Sequence, residues 1–152
     1  MRPAPLDLSD PRVATELLEL QRRAYRVEAE LIGTDEIPPL RETLGDLQEC
    51  GETFLGVRID SVLAGAVSWR LDGETIDLHR LVVDPVHFRR GVGQALVRAA
   101  LAVEPRARRA IVQTGAANEP AKTLYRREGF VPLDELELVP GLRVARFAKR
   151  LR

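Results

Sequence analysis

The decapeptide HFRRGVGQAL (residues 87–96) sets two glycines one residue apart, places two arginines before them, and runs on into helix-forming residues. Two readings are open. Glycine at the start of a helix is often only a turn. Alternatively, the stretch is a cradle for phosphate. The first amide N–H groups of a helix have no partner within it, and with the helix dipole they attract an anion. Gly91 and Gly93 would let a phosphate come close to the backbone, with Arg89 and Arg90 adding charge at the mouth. The loop lacks the GK[ST] of a Walker A motif and the third glycine of the dinucleotide fingerprint. Its flanks must decide.

TIDLHRLVV (75–83) lies upstream and reads as a strand ending in the turn Val83-Asp84-Pro85. Downstream, a helix is expected over 92–103, stopping before Pro105. Near the N-terminus, Ser9-Asp10-Pro11 offers a cap and a first-turn proline. Leu17, Leu20, Ala24, Val27 and Leu31 then recur at helical spacing, predicting a helix over 11–32. Pro38 and Pro39 make TDEIPPL (34–40) a loop, and a second helix is expected over 40–49. TFLGVRID (53–60) and VLAGAVSWRL (62–71) read as a hairpin turning at Asp60-Ser61. ARRAIVQTG (107–115) is a strand, EPAKTLYRRE (119–128) a helix, and 130–139 and 142–151 two closing strands. The order ααβββαβαββ implies one α/β domain, residues 1–152, around a mixed sheet.

Composition narrows the class further. The chain has 152 residues, 45% hydrophobic and 30% charged, as a soluble globular domain does. It lacks a run of membrane-spanning length and a signal-peptide core, so no membrane partner and a cytoplasmic location are expected. Cys50 is the single cysteine, which excludes an internal disulfide or a cysteine metal cluster; no metal is implied. The formal net charge of zero divides into −6 over residues 1–60 and +6 over 61–152. Self-neutralisation across the fold accounts for this, as would an anionic ligand on one half and a cationic one on the other. Basic runs such as RARR (106–109) lack interleaved aromatics, so no nucleic-acid partner is expected.

With its flanks, the glycine loop resembles the acyl-CoA loop of the GNAT family of N-acetyltransferases, Gln/Arg-x-x-Gly-x-Gly/Ala after a strand and a Val-x-Pro-like turn. Phe88 stands where the family has Gln or Arg, so one side-chain contact to the pyrophosphate is missing. The backbone amides of residues 89–94 (Arg89, Arg90, Gly91, Val92, Gly93 and Gln94) would still bind it. NEPAKTLYRREGF (118–130) is similar to the family's Asn-x-x-Ala-x-x-Leu-Tyr-x-x-x-Gly-Phe helix along the CoA arm. The two motifs come in the family's order, and the resemblance spans about residues 52–132.

The resemblance implies a mostly antiparallel central sheet flanked by helices, with the fourth and fifth strands splayed around the thioester arm of acetyl-CoA, the cosubstrate. By the family's count TIDLHRLVV is the fourth strand, so the backbone of Leu81, Val82 and Val83 would hold the arm and polarise the thioester. Tyr125 would protonate the departing thiolate, and Asn118 would bind the pantetheine or simply cap its helix. Strand alternation puts Asp77, His79, Leu81 and Val83 on one face. Asp77, at the place of a family glutamate, and His79 are alternative bases, with Glu74 a poorer third. Tyr25, Glu28, Asp35, Glu36 and Trp69 are candidates to line the site of a small-molecule or peptide amine, cationic if they do. Direct transfer in a ternary complex is implied, with Cys50 outside the chemistry; a non-catalytic acyl-CoA-binding module and a different acyl donor are the alternatives. Many relatives form a homodimer through their terminal strands, which is the oligomer expected here.

Overall fold

Two different apolar faces on one set of strands determine the layering. The computed structural model describes residues 1–33 and 41–152, so the loop expected at 34–40, with Asp35 and Glu36, lies outside the described residues. In chain order the elements are β1 (Ala4–Pro5), α1 (Pro11–Ile32), α2 (Leu44–Glu49), β2 (Thr53–Ile59), β3 (Val62–Asp72), β4 (Thr75–Val83), a 3-10 turn (Pro85–His87), α3 (Val92–Val103), β5 (Arg109–Gly115), α4 (Glu119–Arg127), β6 (Val131–Val139) and β7 (Leu142–Arg150). The sheet order is β1-β2-β3-β4-β5-β7-β6, and only β4 and β5 run parallel.

Three differences from the expected elements have local causes. β1 is a two-residue strand held on β2, with Ala4 opposite Gly56, too short and too proline-rich to carry a strand pattern. It makes TIDLHRLVV the fourth strand in chain order. α2 starts at Leu44 rather than residue 40, because Thr43 and Asp46 form a reciprocal capping box. β5 begins two residues later than expected, after Ala107 has turned into the core.

Leu17, Leu20, Leu47, Phe54, Leu63 and Val82 form one core beneath α1 and α2. Val57, Val67, Trp69, Ile76, Leu96, Tyr125 and Phe147 form the other, beneath α3 and α4. The start of α3 presses on β3 at Gly65. A Cβ there would lie 2.7 Å from Val92 Cγ1 and 3.0 Å from both Leu96 Cδ1 and the Val82 carbonyl oxygen. Gly65→Ala is therefore expected to cost about 1–3 kcal/mol by overpacking, read as a lower urea midpoint. An unchanged midpoint would mean that α3 can lift from the sheet.

β4 and β5 pair only from Thr75 opposite Arg109 to Leu78 opposite Val112. Beyond that they part, giving the splayed fourth and fifth strands that the resemblance implied. The divergence begins where β4 is irregular. Ser68 of β3 faces Arg80 and Trp69 faces Leu78, so His79 has no partner on β3. Such an extra residue bends a strand and resets its alternation. Ile76 and Leu78 therefore share the α3/α4 face with Leu81 and Val83, while Val82 joins the opposite core. The single face expected for Asp77, His79, Leu81 and Val83 is thus broken at His79.

Candidate active site

Among the described residues, the glycine loop leaves a run of backbone amides without acceptors. Asp84 anchors it three ways: its amide donates to Ala64 O at 2.8 Å, its carboxylate accepts from Val86 N at 3.2 Å, and Arg23 of α1 pairs with it at 3.0 Å. Gly91 takes the N-cap place of α3 at φ +78°, a left-handed conformation that favours glycine. It brings no capping side chain. The first amide to find an acceptor is that of Ala95, on Gly91 O at 3.0 Å. Among the described residues, the amides of residues 89–94 have none. Arg89, held at φ +66°, and Arg90 are exposed, and neither is ion-paired among the described residues. Phe88 is also exposed, turned away from the core. Six unpartnered amides beside two free arginines suit a pyrophosphate. The Gln94 side chain is taken up by Glu128 at 3.0 Å, so only its backbone faces the cradle.

The cradle opens into the slot between β4 and β5. Amides alternate along an antiparallel ladder, and because Asp84 N donates to Ala64 O, the amide of Val82 also faces β3. Leu81 and Val83 therefore present their backbone to the slot. Val82 does not: its main chain belongs to the ladder and its side chain to the α1/α2 core.

Tyr125 comes up from the far face. It is 4% exposed, with its ring edge-on to Phe130 at 5.5 Å between centroids and tilted against Phe147 at 6.1 Å. Burial, and then the charge of Glu28, push its phenol above the ordinary value, so it is protonated at neutral pH. Asn118 caps α4, its Oδ1 accepting from Ala121 N at 3.2 Å, and its side chain also faces Glu28.

The two expected bases sit at the root of the slot, Asp77 within the paired stretch and His79 just past its last pair. Asp77 lies opposite Ile111, within the paired stretch of β4 and β5. His79 Nε2 is 3.3 Å from Asp77 Oδ2, and its Nδ1 is 3.4 Å from Glu52 Oε2. Both line an open cleft of about 600 Å³ with Arg109, Gln113 and Arg146. Glu74 pairs with Arg108 at 2.7 Å on the surface. Trp69, expected in the acceptor site, is fully buried on the α3 side, where its indole donates to Glu104 at 3.2 Å. Trp69 follows Val67 by two residues on β3 and shares its face, the alternation of β3 running unbroken past the register shift. Tyr25 is buried in the α1/α2 core, its phenol raised first by burial and then by Glu28. Cys50 closes α2, its thiol raised by burial.

A buried ionic network was not foreseen. Arg80, whose side chain is 9% exposed, uses all five N–H groups. Nε donates to Glu52 at 2.9 Å and Nη1 to Gln21 at 2.9 Å and to Glu42; Nη2 donates to Glu42 at 2.8 Å and Glu52 at 3.2 Å. Ser68 donates to Glu52 at 2.6 Å, and Gln21 to Glu42 at 2.8 Å. Burial works against the Glu52 charge, but Arg80 and Ser68 outweigh it and hold the carboxyl below its usual range. An arginine inside an apolar strand was the one local sign. Its partners lie 28 and 38 residues away, beyond the reach of periodicity.

Comparison with known proteins places this geometry. The family model described as acetyltransferase (GNAT) family matches residues 14–130. The chain is 34% identical over 142 residues to the UPF0157 protein YqkA of Bacillus subtilis (strain 168), covering 93% of this chain but only 41% of that protein. The PaiA N-acetyltransferase of Thermoplasma acidophilum, solved in complex with coenzyme A, superposes with a TM-score of 0.79 at 18% identity, over 99% of both chains. The ribosomal-protein-S18-alanine N-acetyltransferase of Escherichia coli gives 0.75 at 17%, over 98% of this chain and 92% of that one. With the match to its family model extending through both the glycine loop and the Tyr125 helix, the chain belongs to the acetyltransferase (GNAT) family.

Proposed function

We propose that the protein is an acetyl-CoA-dependent N-acetyltransferase, moving an acetyl group to a primary amine by direct transfer in a ternary complex. One observation carries the reading: a row of unpartnered amides ends at a slot with a protonated, buried phenol beside it. Acetyl-CoA is a substrate here, and it supplies an activated acyl thioester. The amides of residues 89–94, with Arg89 and Arg90, would hold its pyrophosphate, and Asn118 its pantetheine arm. The backbone of Leu81 and Val83 would fix the arm along β4, with an amide directed at the thioester carbonyl. Tyr125 would donate a proton to the leaving thiolate.

The acceptor end is acidic. Glu28 of α1, Glu42 and Glu52 of the segments before and after α2, and Asp77 of β4 stand there, with Arg80 paired to Glu42 and Glu52. This balance favours a cationic amine, either a small molecule or a peptide amino group. Peptide acceptance has a precedent in the E. coli neighbour, whose name gives it a ribosomal-protein alanine. The exposed apolar residues of edge strand β6, among them Val131, Leu133 and Leu138, support a homodimer through the terminal strands.

Thermal unfolding in the presence of acetyl-CoA, with CoA, ATP and NAD as comparisons, tests the first step. A ligand at 100 times its Kd stabilises by about 2.7 kcal/mol, which raises Tm by roughly 5–10 °C for a domain of this size. A rise with the two CoA species alone is expected. No rise with either would mean that Phe88 marks a lost binding site. Binding without CoA release across a broad amine panel would make the protein a non-catalytic acyl-CoA-binding module.

A further inference from the structure

We infer that Glu28 of α1 takes the proton from the acceptor amine, so that a carboxylate and a phenol, reaching the slot from opposite faces of the sheet, complete the proton path. The inference rests on the acetyltransferase reading above. It replaces Asp77, which lies within the paired stretch of β4 and β5, and His79, which follows the last pair and is engaged with Asp77 and Glu52.

Placement is the main argument. Glu28 lies one turn beyond Tyr25 on α1, which crosses β3 and β4. Its carboxylate faces the amide of Gly115, the last residue of β5, and the side chain of Asn118, the cap of α4. Both groups stand where β5 has already left β4. From the other face Tyr125 feels the Glu28 charge.

Charge is the second argument. Glu28 is half-buried, yet no lysine, arginine or histidine pairs with it among the described residues. Carboxylates so placed ordinarily have a cationic partner. Tyr25 faces it from α1 and Tyr125 from α4. Arg80 and Glu42 act on Tyr25 from β4 and from the segment before α2. Every N–H of Arg80 is already spent, so it does not serve as the missing countercharge. An ammonium group would. Burial raises the Glu28 carboxyl above its usual range, and the Gly115 amide and Asn118 limit the rise, which makes it a better proton acceptor than a solvated carboxylate.

The transfer then balances. An arriving ammonium group gives one proton to Glu28, which releases it to solvent. The free amine attacks the thioester carbonyl, so that a C–N bond forms and the C–S bond breaks. The thiolate takes the Tyr125 proton. The second proton leaving nitrogen goes to Glu28 and returns to the Tyr125 phenolate, leaving the N-acetyl product, CoA thiol and the enzyme in its starting state.

Wild type, Glu28→Gln and Glu28→Asp are assayed for CoA release with spermidine, kanamycin and a peptide with a free amino-terminal alanine. The kcat/KM of any acceptor used by the wild type is followed against pH, and each variant is titrated with acetyl-CoA by thermal unfolding. Expected are a fall of about 10²-fold or more in kcat for Glu28→Gln, loss of the acid limb of the profile, an unchanged acetyl-CoA shift and partial recovery with Glu28→Asp. Wild-type turnover with kcat and the acid limb intact in Glu28→Gln overturns the assignment of Glu28 alone. A wild type that binds acetyl-CoA but acetylates none of the three overturns transfer to a cationic amine, and the assignment with it.

Discussion

Tyr125→Phe is expected to lower kcat by about 10²–10⁴-fold, the usual range for a positioned general acid, while the acetyl-CoA thermal shift stays as in the wild type. The substitution removes one oxygen from a ring packed against Phe130 and Phe147, so the aromatic cluster is preserved and folding is not the variable measured. The phenol lies far on the protonated side at neutral pH, because burial and the Glu28 charge both oppose the phenolate. It is thus available as a donor and poorly suited as a base. Steady-state kinetics with any working acceptor reads the effect. An unchanged kcat would remove Tyr125 from the chemistry and leave protonation of the thiolate to solvent.

Arg80→Met is expected to cost about 3–5 kcal/mol of stability, the range found when one partner of a buried ion pair is removed. It strands Glu42 and Glu52 together, with Gln21 and Ser68 unable to supply the lost charge. Urea unfolding measures the loss. Its pH dependence supplies an independent sign. In the wild type the Glu52 carboxyl is held below its unfolded value. The stability it contributes is therefore present above about pH 4.3 and is lost as the pH falls through its folded value. Without Arg80, the burial that opposes the Glu52 charge loses its main counterweight, and the variant should gain stability as the pH falls from neutral towards about 4.3, a range in which the wild type does not. A parallel pH dependence in the two proteins would show that the network contributes little.

Local signals carried much of the fold. The spacing of Leu17, Leu20, Ala24, Val27 and Leu31, closed by Gly33, predicted α1 to its observed ends, and Gly91 with Pro105 did the same for α3. The uncapped start of α3 was legible too, since it needs only glycine after a strand and turn. That Asn118 and Tyr125 share the α4 segment was legible from their fixed spacing.

What failed were the inferences that needed the register between neighbouring strands or the partners of buried side chains. The face of Asp77 and His79 relative to Leu81 and Val83 depended on one unpaired residue in the β3–β4 register, and period-two alternation cannot reveal where a register slips. Val82 could be assigned to the ladder rather than the slot only once the β3 pairing was known. Arg80 stood out in its strand, but Gln21, Glu42 and Glu52 reach it from three separate segments. Glu28 became distinct from the other acids of the N-terminal half only when α1 crossed the sheet and set it at the mouth of the slot. By itself, then, the sequence determined the helices, most strands and the uncapped glycine start of α3, because each is encoded within a few residues. Among the described residues, the tertiary structure decided which carboxylates are paired and which are not, because burial and pairing depend on contacts between residues far apart in the chain.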